Sequence, residues 1–78
     1  MKKLEFYTDK EIGLIIRAHR QSRNLTQKDL GELMGVQKSA VQKWESGMVK
    51  NIKRSTLQQL SVILGISPVT LIGIKGED

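Results

Sequence analysis

Apolar positions recur at helical spacing along most of this chain. Thr8-Asp9-Lys10-Glu11 reads as a capping box, with Tyr7 and Ile12 placed as a hydrophobic staple, so a helix starts at Thr8. It is expected to run to about Arg23 and stop at Asn24, a residue that tolerates the left-handed conformation. Ile12, Ile16 and His19 share one face, which predicts a core role for His19 rather than a ligand or pH-switch role. The stretch from Leu25 to Gly47, LTQKDLGELMGVQKSAVQKWESG, then reads as two short helices about a tight turn. Thr26 caps the first of them, and Asp29 stands where an acid favours the positive helix end. Leu30, Leu33 and Met34 form its apolar side, Gly35 stops it, and Val36 is expected as a buried plug. The second helix of the pair begins at Gln37, turns Val41 and Trp44 inward, and ends at Gly47.

Beyond this pair, Ser55 is the expected cap of a fourth helix over residues 56–64, with Leu57, Leu60, Ile63 and Leu64 inward and Gly65 as its stop. Ser67-Pro68 opens a short fifth helix, whose Val69, Leu71 and Ile72 close the core before Gly73 ends it. Residues 1–7 leave two readings, a short strand or an arm lying on the first helix. Leu14 and Ile15 have two candidate covers, that arm or a partner chain, and the arm is favoured because Leu4, Phe6 and Tyr7 otherwise have nothing to pack on. Residues 76–78 are expected to fray. The pattern predicts an all-α, five-helix fold forming one domain over residues 1–78, with an arm (1–7), a helical core (8–73) and a tail (74–78).

Composition narrows the function classes. A chain of 78 residues can build one small core, and with no cysteine it has neither disulfides nor thiolate metal ligands. One histidine makes a zinc site a poor expectation, and no cofactor is expected. No apolar run approaches the roughly 20 residues that span a bilayer, and the start, MKKLEFYTDKE, lacks the apolar segment of a secretory signal. A cytoplasmic location and no membrane partner follow as expectations. There is no Ser/His/Asp constellation and no Gly-rich phosphate loop, so an enzyme is not expected. The net charge is +5, and its placement says more than its size. Lys38, Lys43, Lys50, Lys53 and Arg54 lie in one short span opposed only by Glu45, whereas Lys75 is the sole basic residue from Thr56 onward. Such a concentration suits a polyanionic partner.

The outward residues of the helix beginning at Gln37 supply the chemistry. Each base pair shows a distinct donor and acceptor pattern in the major groove. Gln37, Lys38, Ser39, Gln42 and Lys43 are polar side chains suited to reading it, with no acid among them before Glu45. Gln27 begins the preceding helix, whose free N–H groups can hold a phosphate. Ser46, Lys50, Asn51, Lys53 and Arg54 are further phosphate candidates.

Thr26-Gln27, Leu30, Gly35-Val36, Val41 and Trp44-Glu45-Ser46-Gly47 together resemble the helix-turn-helix of the lambda-type phage repressor and Cro family, the XRE-like transcriptional regulators. The resemblance covers roughly residues 12–73. It implies that the second helix of the motif enters the DNA major groove and that Lys38, Ser39 and Lys43 fall where the family contacts bases, with Gln42 flanking them. It also implies that Gln27 braces the backbone contact, and that Glu45 pairs with Arg20 on the first helix. Leu14, Ile15 and His19 depart from the family pattern, as does the longer, proline-free loop from Met48 to Arg54, anchored by Ile52. The resulting expectation is a sequence-specific regulator of phage or bacterial type, most simply a repressor. It would bind a double-stranded operator as a homodimer through the region running from the loop after the third helix to Leu71, Ile72 and Ile74. A protein-interaction module such as an antitoxin or anti-repressor, and the amino-terminal part of a longer repressor, are the alternatives.

Overall fold

The computed structural model describes residues 4–76. The expectations for residues 1–3 of the arm and for 77–78 of the tail lie outside the described residues. Five helices follow in order: α1 (Asp9–Ser22), α2 (Gln27–Met34), α3 (Lys38–Ser46), α4 (Arg54–Leu64) and α5 (Pro68–Leu71). Two short strands, β1 (Glu5–Phe6) and β2 (Ile74–Gly76), flank them. The fold is thus helical with a small antiparallel ribbon, in which Glu5 pairs with Gly76 and Phe6 with Ile74 across an irregularity.

The ribbon decides between the two readings of the N-terminus. Strand, not arm, is formed: the Tyr7 N–H donates to the Gly73 carbonyl at 2.7 Å, so the segment lies against the far end of the chain. Leu14 is left 52% exposed, and Ile15 packs half-buried on the core. Residues 74–76 are therefore not a free tail. Lys75 reaches Glu11 at 3.8 Å, and its ammonium lies 5.5 Å from the centre of the Tyr7 ring.

Sequence accounts for where α1 and α2 begin. The Thr8 hydroxyl accepts from the Glu11 N–H at 3.1 Å while the Glu11 carboxylate accepts from the Thr8 N–H at 2.9 Å. Thr26 and Asp29 form the same reciprocal pair at 3.0 and 2.8 Å. Both carboxyls sit below the usual range, chiefly because each accepts a backbone N–H. Asn24 (φ 57°) takes the left-handed conformation expected of it.

The core is a cluster around Ile12, Ile16, Leu30, Val41, Leu60 and Leu64, closed by Met34, Trp44, Ile66 and Leu71. Its stripe on α1 is Ile12, Ile16 and Arg20, residues four apart, so His19 falls at the stripe's edge and is half-buried rather than core. On α2 the inward residues are Leu30, Gly31 and Met34, and Leu33 stays exposed. Val36, expected as a buried plug, is on the surface at the turn. Lys53 occupies the N-cap of α4, so Ser55 lies inside the first turn and caps nothing. In α5 only Leu71 is buried, while Val69 and Ile72 face outward, because four residues make a single turn and present one inward position. Among the described residues no helix is long and apolar enough to cross a membrane.

Candidate nucleic-acid interface

The geometry of α3 begins in the turn before it. Gly35 adopts φ 71°, a left-handed conformation that costs a Cβ-bearing residue about 1–2 kcal/mol. This lets the Val36 N–H fold back onto the Gly31 carbonyl at 2.8 Å. A Cβ on Gly31 would lie 2.8 Å from the Val36 carbonyl oxygen, so the turn can close this tightly only over glycine. The chain then leaves along α3 with Val41 and Trp44 turned inward.

A second close approach fixes the far end of α3. Gly13 on α1 sits against the Trp44 and Glu45 carbonyls, where an added Cβ would come within 2.6 Å of the Trp44 oxygen. This position carried no conspicuous signal in the sequence, since an isolated glycine in a helical pattern reads only as a weak helix former.

Between the two glycine contacts runs a buried ionic bridge. The Arg20 Nε donates to Glu45 Oε2 at 2.6 Å and its Nη2 to Oε1 at 3.0 Å, a two-pronged pair, while Nη1 donates to the Leu25 carbonyl at 2.7 Å. Gln27 Nε2 donates to Glu45 Oε1 at 3.1 Å. Glu45 thereby joins α1, α2 and α3 at one carboxylate, and it raises the pKa of the Arg20 guanidinium above its ordinary value. Among the described residues no buried side-chain nitrogen or oxygen lacks a partner. The expected Arg20–Glu45 pair is present, and Gln27 is added to it by the tertiary structure.

The outward side of α3 is open. Gln37, Lys38, Ser39, Gln42 and Lys43 are all exposed. Gln37 is the N-cap but makes no capping hydrogen bond with its side chain, and the first turn holds no acid. Lys53 and Arg54 stand at the N-cap and first residue of α4. Cations there oppose the helix dipole by about 0.3–1 kcal/mol each. Such a departure from local preference is expected where a chain has a function to serve. Lys50, Asn51 and Ser46 are exposed as well, although the Ser46 hydroxyl donates to the Lys43 carbonyl at 3.1 Å. Val49 and Ile52 pin the intervening loop to the core.

Beside this face lies a shallow hollow lined by Arg17, Arg20, Leu25, Thr26, Gln27, Lys28 and Lys38. It brings Arg17, Lys28 and Lys38 around the start of α2. Arg17 and Lys28 escaped the sequence reading; for Arg17 the available signal was its position three residues before Arg20, one turn back on the same side of α1.

The fold and this site define a class: residues 16–71 match the helix-turn-helix family, and the chain belongs to it. The uncharacterized HTH-type transcriptional regulator y4wC of Sinorhizobium fredii is 40% identical over 75 residues, covering 90% of this chain and 52% of that protein. The chain therefore spans about half the length of that curated relative. Among solved structures, the P22 c2 repressor protein in complex with synthetic operator 9T superposes with a TM-score of 0.70 at 33% identity, covering 77% of this chain and 89% of that one. SinR of Bacillus subtilis, the master regulator for biofilm formation, superposes in its complex with DNA with a TM-score of 0.70 at 30% identity, over 78% and 97% of the two chains.

Proposed function

We propose that the chain is a sequence-specific double-stranded DNA-binding transcriptional regulator of repressor type, acting in the cytoplasm as one DNA-binding domain and as a binding protein rather than an enzyme. The observation that carries this reading is α3 itself. It presents Gln37, Lys38, Ser39, Gln42 and Lys43 outward with no acid among them, and its inner side is held at Glu45 by Arg20 and Gln27. A helix held in that way can enter a major groove without reorganising, and glutamine and lysine match adenine and guanine edges. Lys50, Asn51, Lys53 and Arg54 on one flank, with Gln27 and Ser46, are assigned to phosphates, which set register without carrying sequence information. Arg17 and Lys28 join that set through the hollow they share with Lys38. The comparisons support the reading, since the P22 c2 and SinR structures are complexes with DNA.

Selection from random duplexes tests it, with Lys43→Ala run in parallel. A defined consensus is expected from the parent chain, and the variant should lose about 1–3 kcal/mol at that consensus while its affinity for random duplex changes less. Equal losses on both would remove Lys43 from base reading, and no enrichment at all would defeat the proposal.

A further inference from the structure

A hollow of about 240 Å³ lies between the loop after α3 and the foot of the β1–β2 ribbon. Val49 and Ile52 line it from the loop, and Tyr7 and Gly73 from the ribbon side, where the Tyr7 N–H is tied to the Gly73 carbonyl. Ile12, Trp44 and Leu71, all buried, form its floor. Asp9, the first residue of α1, stands at the rim with Lys50 and Asn51, and all three are exposed. We infer that this hollow binds a free α-amino acid with one aromatic ring, and that the bound amino acid loosens the neighbouring loop from phosphate. The binding site stands on its own; only its effect on a duplex rests on the DNA-binding reading.

Size sets the first limit. A closed space of about 150 Å³ admits benzene, and drug-sized sites begin at about 300 Å³, so this hollow suits a single ring with a short polar tail. The floor selects the ring. Ile12, Trp44 and Leu71 offer aliphatic and aromatic surface, which a bare anion or a sugar would leave unused.

Charge selects the tail. Asp9 and Lys50 bring opposite charges to one hollow, yet among the described residues neither has an ion-pair partner, whereas Glu11 pairs with Lys75. A simple amine would meet Lys50 as a like charge, and a simple carboxylate would meet Asp9 as one. An α-amino acid carries both charges one carbon apart. Its ammonium donates to the Asp9 carboxylate, and its carboxylate accepts from the Lys50 ammonium and the Asn51 amide. Lys50 and Asn51 are the donors assigned above to phosphate. A carboxylate held by them competes with the duplex for the same hydrogen bonds, so the ligand is a release signal. The coupling is reciprocal: the duplex must weaken the amino acid by the factor that the amino acid weakens the duplex.

Titration of the full chain with L-phenylalanine, without duplex, tests the site. Amide NMR and the fluorescence of Trp44, the only tryptophan, supply the readouts. Saturable changes are expected at Trp44, Val49, Ile52 and Gly73. L-Phenylalanine should bind about tenfold or more tightly than phenethylamine or phenylacetate, each of which lacks one of the two charges. Asp9→Asn should weaken it by about tenfold, while Glu32→Gln, a change of an exposed acid on α2, should leave it unaltered. Circular dichroism confirms that both variants fold. No saturable binding, changes centred elsewhere, equal binding of the two half-ligands, or an Asp9→Asn variant that binds like the parent would each overturn the inference. Saturating L-phenylalanine should then lower duplex affinity by about fivefold or more, and Asp9→Asn should need a higher concentration for the same effect. A duplex affinity indifferent to the bound amino acid would defeat the release role. A chain that binds L-phenylalanine in the hollow but captures no duplex would leave the site standing and sink the DNA-binding reading instead.

Discussion

Glu45 is the residue on which the arrangement of the three helices turns. It lies with Arg20 almost out of solvent, where an unpaired charge is costly, and the pair is tolerated because four hydrogen bonds occupy its donors and acceptors. Glu45→Gln keeps the shape and removes the charge, which leaves the Arg20 guanidinium buried without a counterion. Breaking such a pair costs about 3–5 kcal/mol, so the variant should unfold at markedly lower denaturant, read by urea titration. A midpoint equal to the parent's would show that the bridge is spectator to stability. The pairing itself was legible before the fold, because Glu45 follows Trp44 in a recognisable motif and Arg20 stands at the matching place on the first helix. What escaped was the burial of Arg20 in place of His19. A periodicity count assigns the inward stripe to apolar and aromatic rings and has no means of knowing that a distant carboxylate will neutralise an arginine on it.

At the scale of the element, the helix starts and the helix approaches behave differently. Glu11 and Asp29 each have a carboxyl pKa lowered in the folded state by a backbone N–H. The unfolded chain then binds protons more readily than the folded one in the window between the two pKa values, so stability rises with pH there. The contribution is complete above the unfolded carboxyl value and is lost as pH falls through the folded one. Thermal melts should therefore show stability dropping on acidification through the carboxyl range, and Asp29→Asn should flatten that drop. A slope identical to the parent's would dissociate the cap from acid stability. Gly13→Ala makes an opposite demand on intuition. Helix propensity favours alanine by about 1 kcal/mol, yet the new methyl would meet the Trp44 and Glu45 carbonyls, which are backbone and cannot swing away. Overpacking of this kind costs about 1–3 kcal/mol, so a net loss of stability is expected by denaturant unfolding. A stabilised variant would mean that α1 and α3 can part freely.

At the scale of the molecule the charge distribution and the pairing of β1 with β2 matter. The cations gather on α3, the loop after it and the start of α4, and the following stretch to Gly73 is neutral. If that gathering meets phosphate, log affinity should fall linearly with log salt, and Lys53→Ala should reduce the slope by about one unit while weakening all sequences alike. An unchanged slope, read by fluorescence anisotropy across a salt series, would place Lys53 outside the contact. The ribbon of β1 and β2 also belongs to this scale. It joins two segments whose neighbours in sequence carry no strand signal beyond a few apolar residues, and the pairing of Phe6 with Ile74 spans a separation that local spacing does not register.

The sequence by itself determined the helices, their caps at Thr8, Thr26 and Gly35, the inward set Ile12, Ile16, Leu30, Val41, Leu60 and Leu64, and the polar face of α3. Each of these depends on residues within a turn or two of one another, and short-range periodicity and capping chemistry record them. Tertiary structure alone decided which side of α2 and α5 met the core, so that Leu33, Val36, Val69 and Ile72 ended outside. It also decided that Gly13 would be the contact point of two helices, that Gln27 would reach Glu45, and that the N-terminal segment would pair with residues 74–76 rather than cover Leu14. Those outcomes depend on which surfaces compete for a limited core across tens of residues of chain, and on how closely two backbones approach, neither of which leaves a trace in local spacing.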